Sequence, residues 1–226
     1  MTTRFKKYFV FDLDDTLVDG RQFCGETIAR VITRFDPGAD FKKIIKLHEE
    51  LHGLAVTDLY AAILKEIGLE RKLGGRFEEM LNLDKQIQTK DISRLKIFDG
   101  VPEILQFLKS QKKEIYMCTN RMKSLLDLAL EYNGIRKYFT KVVSCLDAGF
   151  KKPNPACLER LVNESEANKQ DFIYFGDSVV DSQFAQNAGI EHIIFDQYLN
   201  DKNIFKKLIN MFLEEKLNGF SGSKLQ

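Results

Sequence analysis

Residues 9–16 read FVFDLDDT. An apolar run at 8–11 enters three aspartates, Asp12, Asp14 and Asp15, within four residues. An apolar run without polar alternation predicts a strand covered on both faces. Carboxylates repel one another: two of them about 4 Å apart oppose each other by roughly 4 kcal/mol at an effective dielectric near 20. A chain that drives a buried strand into such a cluster needs a cation there, or else raised pKa values.

The texture of that first run recurs. Short apolar runs at 115–118, 142–143, 172–175 and 192–195 read as further buried strands. Helical spacing lies between and beyond them, at about 101–113, 122–133, 155–163, 179–188 and 204–217. Gly134 is placed to end the second of these helices, and Asn200 or Asp201 to cap the last. Strands alternating with helices predict an α/β fold on a parallel sheet. One segment breaks the rhythm. Between the first strand and Val101 no strand-like run occurs, while 24–35, 40–54, 57–67 and 76–88 carry apolar residues at helical spacing. This segment reads either as a helical elaboration of the core or as an inserted domain. The stretch LKIFDG at 95–100 looks like a return linker, which favours insertion.

Composition narrows the class. The 226 residues are 44% hydrophobic and 30% charged, with 34 basic against 33 acidic side chains and a net charge of +1. Such balance argues against a nucleic-acid or anionic-membrane surface. No apolar stretch approaches membrane-spanning length, and the four residues 8–11 are too few for a signal-peptide core. Cys24, Cys118, Cys145 and Cys157 have no CxxC spacing and read as reduced thiols of a cytoplasmic protein. His48, His52 and His192 lack the spacing that would join them to those cysteines in a zinc site. A monomer or a small homo-oligomer is expected.

In open parallel sheets, ligands gather beyond the carboxyl ends of the strands. There the sequence places Asp12, Asp14, Asp15 and Thr16, then Thr119 and Asn120. Lys151 and Lys152 follow in CLDAGFKKPNP (145–155), and Asp177, Ser178 and Asp181 in GDSVVD (176–181). Each alone reads plainly as a cap, a turn residue or a solvated loop charge. Together they bring several carboxylates, hydroxyl and amide groups and a cation to one edge. An all-oxygen set without nearby His or Cys favours a hard cation, Mg²⁺ above others. One aspartate can ligate metal and attack an electrophile while the other moves protons, as phosphoryl transfer through an aspartyl-phosphate requires. Lys152, Thr119 and backbone N–H groups would hold the phosphoryl oxygens.

These four stretches resemble the motifs of the haloacid dehalogenase superfamily in order and spacing. DLDDT (12–16) is similar to its first motif, DxDxT, and YMCTN (116–120) to its second, an apolar strand ending in Thr or Ser. KKPNP (151–155) is similar to its third, Lys152 directly preceding PxP and Lys151 being extra. GDSVVD followed by AQNAGI (185–190) is similar to its fourth, GDSxxD. The resemblance spans about residues 7–196 and is nearest to the branch of phosphoglycolate phosphatase-like and β-phosphoglucomutase-like proteins. It implies a Rossmann-like parallel-sheet core, residues 1–18 and 96–226, with a helical C1-type cap domain, 19–95, inserted after the first motif. It implies Asp12 as nucleophile and Mg²⁺ ligand, and Asp14 as general acid/base that reaches Mg²⁺ through its backbone carbonyl. It implies Asp177 and Asp181 at the same metal, Asp181 directly or one step removed. Substrate binding falls to Thr16, Thr119, Asn120 and Lys152, with Thr16 also steadying the motif loop.

The departures bear on substrate. Asp15 stands where many members of this branch have Gly, which weakens an assignment to phosphoglycolate. The acid at Asp14 favours a phosphatase or phosphomutase over a dehalogenase. LHGLAVTDLYAAIL (51–64) resembles a cap loop whose Gly turn faces the active site, so His52, Gly53 and Thr57 are pocket candidates and His52 is counted with the substrate-binding residues. His48 and His52, four apart, read equally as neighbours on a helix surface. Arg21 reads as a solvated linker charge. The expected function is Mg²⁺-dependent hydrolysis of a small phosphorylated metabolite. The alternatives are a sugar phosphomutase and a non-catalytic binding module.

Overall fold

The structure, a computed structural model, describes residues 6–198, 204–210 and 212. The opening apolar run forms β1 (Tyr8–Phe11), buried throughout. The chain then makes a two-residue strand, β2 (Val18–Asp19), and passes through five helices: α1 (Arg21–Phe35), α2 (Phe41–Glu50), α3 (Val56–Glu66), α4 (Glu70–Leu73) and α5 (Phe77–Lys90). It returns through β3 (Lys96–Ile97), which pairs antiparallel with β2. The expected return linker is therefore half of a small ladder. Two residues per strand, with Asp19 and Lys96 in them, are too few to show a period of two.

Beyond the ladder the chain alternates as expected: α6 (Val101–Ser110), β4 (Glu114–Thr119), α7 (Lys123–Tyr132), β5 (Lys141–Ser144), α8 (Ala156–Glu164), β6 (Phe172–Gly176), α9 (Val179–Ala188) and β7 (Glu191–Ile194). Gly134 follows α7 with φ +66°, the left-handed geometry that ends a helix. Residues 204–210 and 212 are helical, whereas Asn200 and Asp201 lie outside the described residues. The long strands form one parallel sheet, ordered β5-β4-β1-β6-β7. This is a Rossmann-like α/β core.

Alternation along the strands divides the interior. Phe9, Phe11, Ile115, Met117, Ile173 and Phe175 pack to one side, against residues of α6, α7 and the last described helix. Tyr8, Val10, Tyr116, Cys118, Phe172 and Tyr174 pack to the other, against α8 and α9. The central strands are covered on both faces, but β5 and β7 are edges and are only partly buried. The expectation of full burial fails for them because an edge strand has one neighbour. Helices α1 to α5 close around a third apolar cluster of their own, with Ile28, Ile32, Ile44, Tyr60, Ile63 and Met80 inside it. The segment between β2 and β3 is thus a helical bundle with an apolar core of its own. No helix among the described residues is long and apolar enough to cross a membrane.

The sheet order sets the site. Successive strands leave β1 toward β4 on one side and β6 on the other, so their carboxyl ends open a crevice beside β1.

Candidate active site

Asp12 continues β1 by one residue, donating its N–H to the Phe175 carbonyl at 2.8 Å. The chain then turns tightly. Leu17 and Val18 donate to the Leu13 carbonyl, and Asp15 adopts φ +58°. That left-handed turn, which Asp tolerates better than most residues, lets Asp12 and Asp14 line the same cavity of ≈ 100 Å³. Thr119, Asn120 and Lys152 line it from the core. Arg21, Cys24, Ile28, His48, His52, Gly53, Leu59 and Gln88 line it from the helical segment.

Lys152 is the central cation. Its Nζ lies 2.6 Å from Asp12 Oδ1 and 2.6 Å from Asp181 Oδ1, with only 3% of the residue exposed. Burial opposes its charge, but Asp12 and Asp181 outweigh burial and push its pKa up. Tyr174 donates its hydroxyl to Asp181 Oδ1 at 2.8 Å. The other Asp181 oxygen accepts from the Ser178 N–H and hydroxyl, and the Ser178 hydroxyl accepts from the Asp181 N–H. This is a capping box on α9. The helix cap and the ion pair are therefore one device, and it needs glycine behind it: a Cβ on Gly176 would stand 2.5 Å from Asp181 Cβ.

Oxygens of Asp12, Asp177 and Asp181 all lie within 4.8 Å of one another, and all three residues are buried. Burial is the main cause that pushes Asp12 up to about 7, against the pull of Lys152. Burial, then Asp181 and Asp12, push Asp177 up to about 9. Asp181 goes the other way, because Lys152 and its hydrogen bonds overcome burial. Lys152 beside Asp12 and Arg21 beside Asp177 do not offset burial for these two carboxylates. Hard oxygen donors, buried and reluctant to ionise, fit a divalent cation such as Mg²⁺.

The structure redistributes several expected residues. Thr119 lines the cavity, and its Oγ1 accepts from the Arg121 N–H, leaving its own proton to give. Asn120 is spoken for: its amide donates to the Gly53 and Lys152 carbonyls, and its carbonyl accepts from the Lys152 N–H. It ties loops together rather than offering a free group to substrate. Thr16 is fully buried, turns its hydroxyl to Asp177 Oδ1 at 3.4 Å, and does not line the cavity. Thr57 does not line it either. His52 does, with Nε2 3.7 Å from Asp177 Oδ2. Gly53 lines it at φ +88°, where a Cβ would meet Ser178 Oγ at 2.5 Å.

Two charges differ from their sequence reading. Arg21 is no solvated linker residue: it reaches Asp15 at 3.2 Å, Asp196 at 3.3 Å and Asp177 at 3.4 Å, and lies over the Tyr198 ring. His48 is no helix-surface residue: it is buried and lines the cavity. The sequence reading also missed Arg121, whose Nη1 lies 2.8 Å from Asp14 Oδ1. The signal was present, since Arg121 directly follows Thr119 and Asn120 at a strand end. Tyr174 gave none, being one aromatic within an apolar strand.

The profile of the haloacid dehalogenase-like hydrolase family matches residues 9–195. The pyrophosphatase PpaX of Halalkalibacterium halodurans is 25% identical over 182 residues, covering 80% of each chain. Phosphoglycolate phosphatase 1 of Pseudomonas aeruginosa is 23% identical over 83% of this chain and 68% of its own. A solved structure from Bacteroides fragilis, described as haloacid dehalogenase-like, superposes with a TM-score of 0.73 at 19% identity, covering 89% of this chain and 93% of its own.

Proposed function

Because the chain belongs to the haloacid dehalogenase-like hydrolase family, we propose that it is a Mg²⁺-dependent phosphatase of a small phosphorylated metabolite. It hydrolyses a phosphate monoester through an aspartyl-phosphate on Asp12. The observation that carries this reading is the Lys152–Asp12 contact of 2.6 Å, beside Asp177 and Asp181 and open to the cavity. A nucleophilic carboxylate next to a buried cation is what attack on a phosphate dianion requires. Relatives named as a phosphatase and a pyrophosphatase support the same reaction class.

The residues take roles in sequence. Lys152 and the Thr119 hydroxyl hold the phosphoryl oxygens. Asp12 attacks phosphorus with a carboxylate oxygen, and the bond to the leaving oxygen breaks. Asp14 gives that oxygen its proton. Asp14 then takes a proton from a water, which attacks the aspartyl-phosphate and frees phosphate and Asp12. Asp12, Asp177 and the Asp14 carbonyl would hold Mg²⁺, with Asp181 behind them. When bound, it supplies charge that keeps Asp12 ionised and offsets the phosphoryl charge.

We assign residues 19–95 as the cap and 1–18 with 96–226 as the core. In this reading the cap covers the leaving group, since residues of both parts line the cavity. The four free thiols support a cytoplasmic setting.

The test is phosphate release from a panel of small phosphate esters, with Mg²⁺ or with EDTA, and with Asp12→Asn beside the wild type. Turnover that needs both metal and Asp12 is expected. Isomerised sugar phosphate with little free phosphate would mean a mutase. Full activity in Asp12→Asn would overturn the mechanism.

A further inference from the structure

A buried hydrogen-bond chain leads from Asp14 into the heart of the helical segment. Arg121 Nη1 lies 2.8 Å from Asp14 Oδ1, and its Nη2 donates to Gln88 Oε1 at 2.7 Å. The Gln88 amide donates to Asp84 Oδ1 at 2.6 Å, and the Tyr60 hydroxyl donates to Asp84 Oδ2 at 2.9 Å. Arg121, Gln88, Asp84 and Tyr60 are all buried. Gln88 and Asp84 sit one turn apart on α5, and Tyr60 belongs to α3 within the helical cluster. The far end is therefore anchored in the packed interior of the inserted segment, and the near end grips a core carboxylate.

We propose that Arg121 is a positioning residue that ties Asp14 to the inserted helices, so that the acid/base carboxylate is set only when those helices are seated on the core. The inference rests on the reading of Asp14 as the acid/base.

Two observations carry it. The two contacts of Arg121 run to opposite parts of the molecule, and its planar fork holds both at hydrogen-bond length, which a lysine could not do. The grip is one-sided: Asp14 Oδ1 accepts from Arg121, while Oδ2 accepts from no described residue. That leaves Oδ2 as the oxygen free to face the reacting group.

The test uses p-nitrophenyl phosphate in rapid-mixing experiments. Its nitrophenolate leaves without a proton, so formation of the aspartyl-phosphate does not need Asp14, whereas hydrolysis of that intermediate does. Arg121→Gln and Gln88→Leu should each keep the first burst of nitrophenolate. Steady turnover should fall on the order of 10- to 100-fold, the loss typical of a misplaced catalytic group, with KM little changed. Arg121→Lys should recover part of the loss, since it keeps charge beside Asp14 but reaches only one partner. It and Gln88→Leu carry the test if Arg121→Gln does not fold, which thermal melts would show. The Asp14→Asn/Arg121→Gln double variant should be no slower than Asp14→Asn alone.

Asp14→Asn separates the two ways of failing. Wild-type steady turnover in Asp14→Asn would overturn the acid/base reading itself. An impaired Asp14→Asn beside unimpaired Arg121 and Gln88 variants would overturn the tie alone. So would Arg121 variants that slow burst and steady phases equally, or that raise KM with kcat intact.

Discussion

Lys152 Nζ stands 2.6 Å from Asp12 Oδ1, so the proposed nucleophile is already paired to a cation before any ligand arrives. The same amine holds Asp181 at 2.6 Å, and both carboxylates are buried. Lys152→Met would leave them facing each other without that charge. Breaking a buried pair from one side costs about 3–5 kcal/mol. We expect urea denaturation in EDTA to show a loss of that size, with phosphate release abolished. A variant within 1 kcal/mol of wild type, on the order of a surface substitution, would mean that the pair does not hold the motif loops.

Divalent cation should stabilise the protein more as pH rises. Asp12 and Asp177 are pushed from the usual carboxylate value of 3.8 up to about 7 and about 9. Between those values and 3.8 the folded state holds more protons than the unfolded one. The two groups therefore make the metal-free protein less stable as pH rises through that window. A cation that binds the ionised pair reverses the loss. Melting curves with Mg²⁺ and with EDTA should nearly coincide near pH 5 and separate progressively toward pH 9. A separation independent of pH would contradict the assignment of these two carboxylates as ligands.

His48 acts on the acid side with the opposite sign. Burial, aided by His52 and Arg21, lowers it from 6.5 to about 4, and its Nδ1 has no partner. The folded state thus resists the proton that the unfolded chain accepts. Stability from this group is complete above 6.5 and falls as pH drops toward 4, by about 3 kcal/mol in all. His48→Leu should flatten that part of the profile and cost little at pH 7, because it also removes an unbonded buried nitrogen. Denaturation of both proteins at pH 7 and pH 4.5 checks this. Parallel profiles would mean that His48 is protonated in the fold.

The sheet was legible because burial on both faces writes itself as an unbroken apolar run, and β1, β4 and β6 each carry one. Edge strands β5 and β7 were less so, and the β2–β3 ladder not at all. The site was legible where residue type and strand end coincide, as at Asp12, Thr119, Lys152 and Asp177. It was illegible where a side chain's partner lies far along the chain. Arg21 reads as a linker charge until the fold sets it against Asp177 and Asp196. Asn120 reads as a substrate ligand until Gly53 and Lys152 occupy it. Gln88 and Asp84 look like ordinary polar residues of a helix, and only packing buries them.

Gly53 tests the contact between the loop that joins α2 to α3 and the loop after β6. Its φ of +88° disfavours any residue with a Cβ, and that Cβ would come within 2.5 Å of Ser178 Oγ and 2.7 Å of Ser178 Cβ. Its carbonyl also accepts from Asn120 at 3.1 Å. Gly53→Ala must lift the loop away from Ser178, and with it the neighbouring His52 from Asp177. Left-handed backbone alone costs about 1–2 kcal/mol for such a residue. The loop joins two helices and belongs to neither, so part of that strain is relieved by movement instead of unfolding. We expect a modest fall in melting temperature together with a loss in kcat/KM of about tenfold or more, as displaced active-site groups produce. A variant with full activity would show that the loop does not need to sit against Ser178 for catalysis, and would move the search for the helical segment's contribution to the residues on α1 and α5.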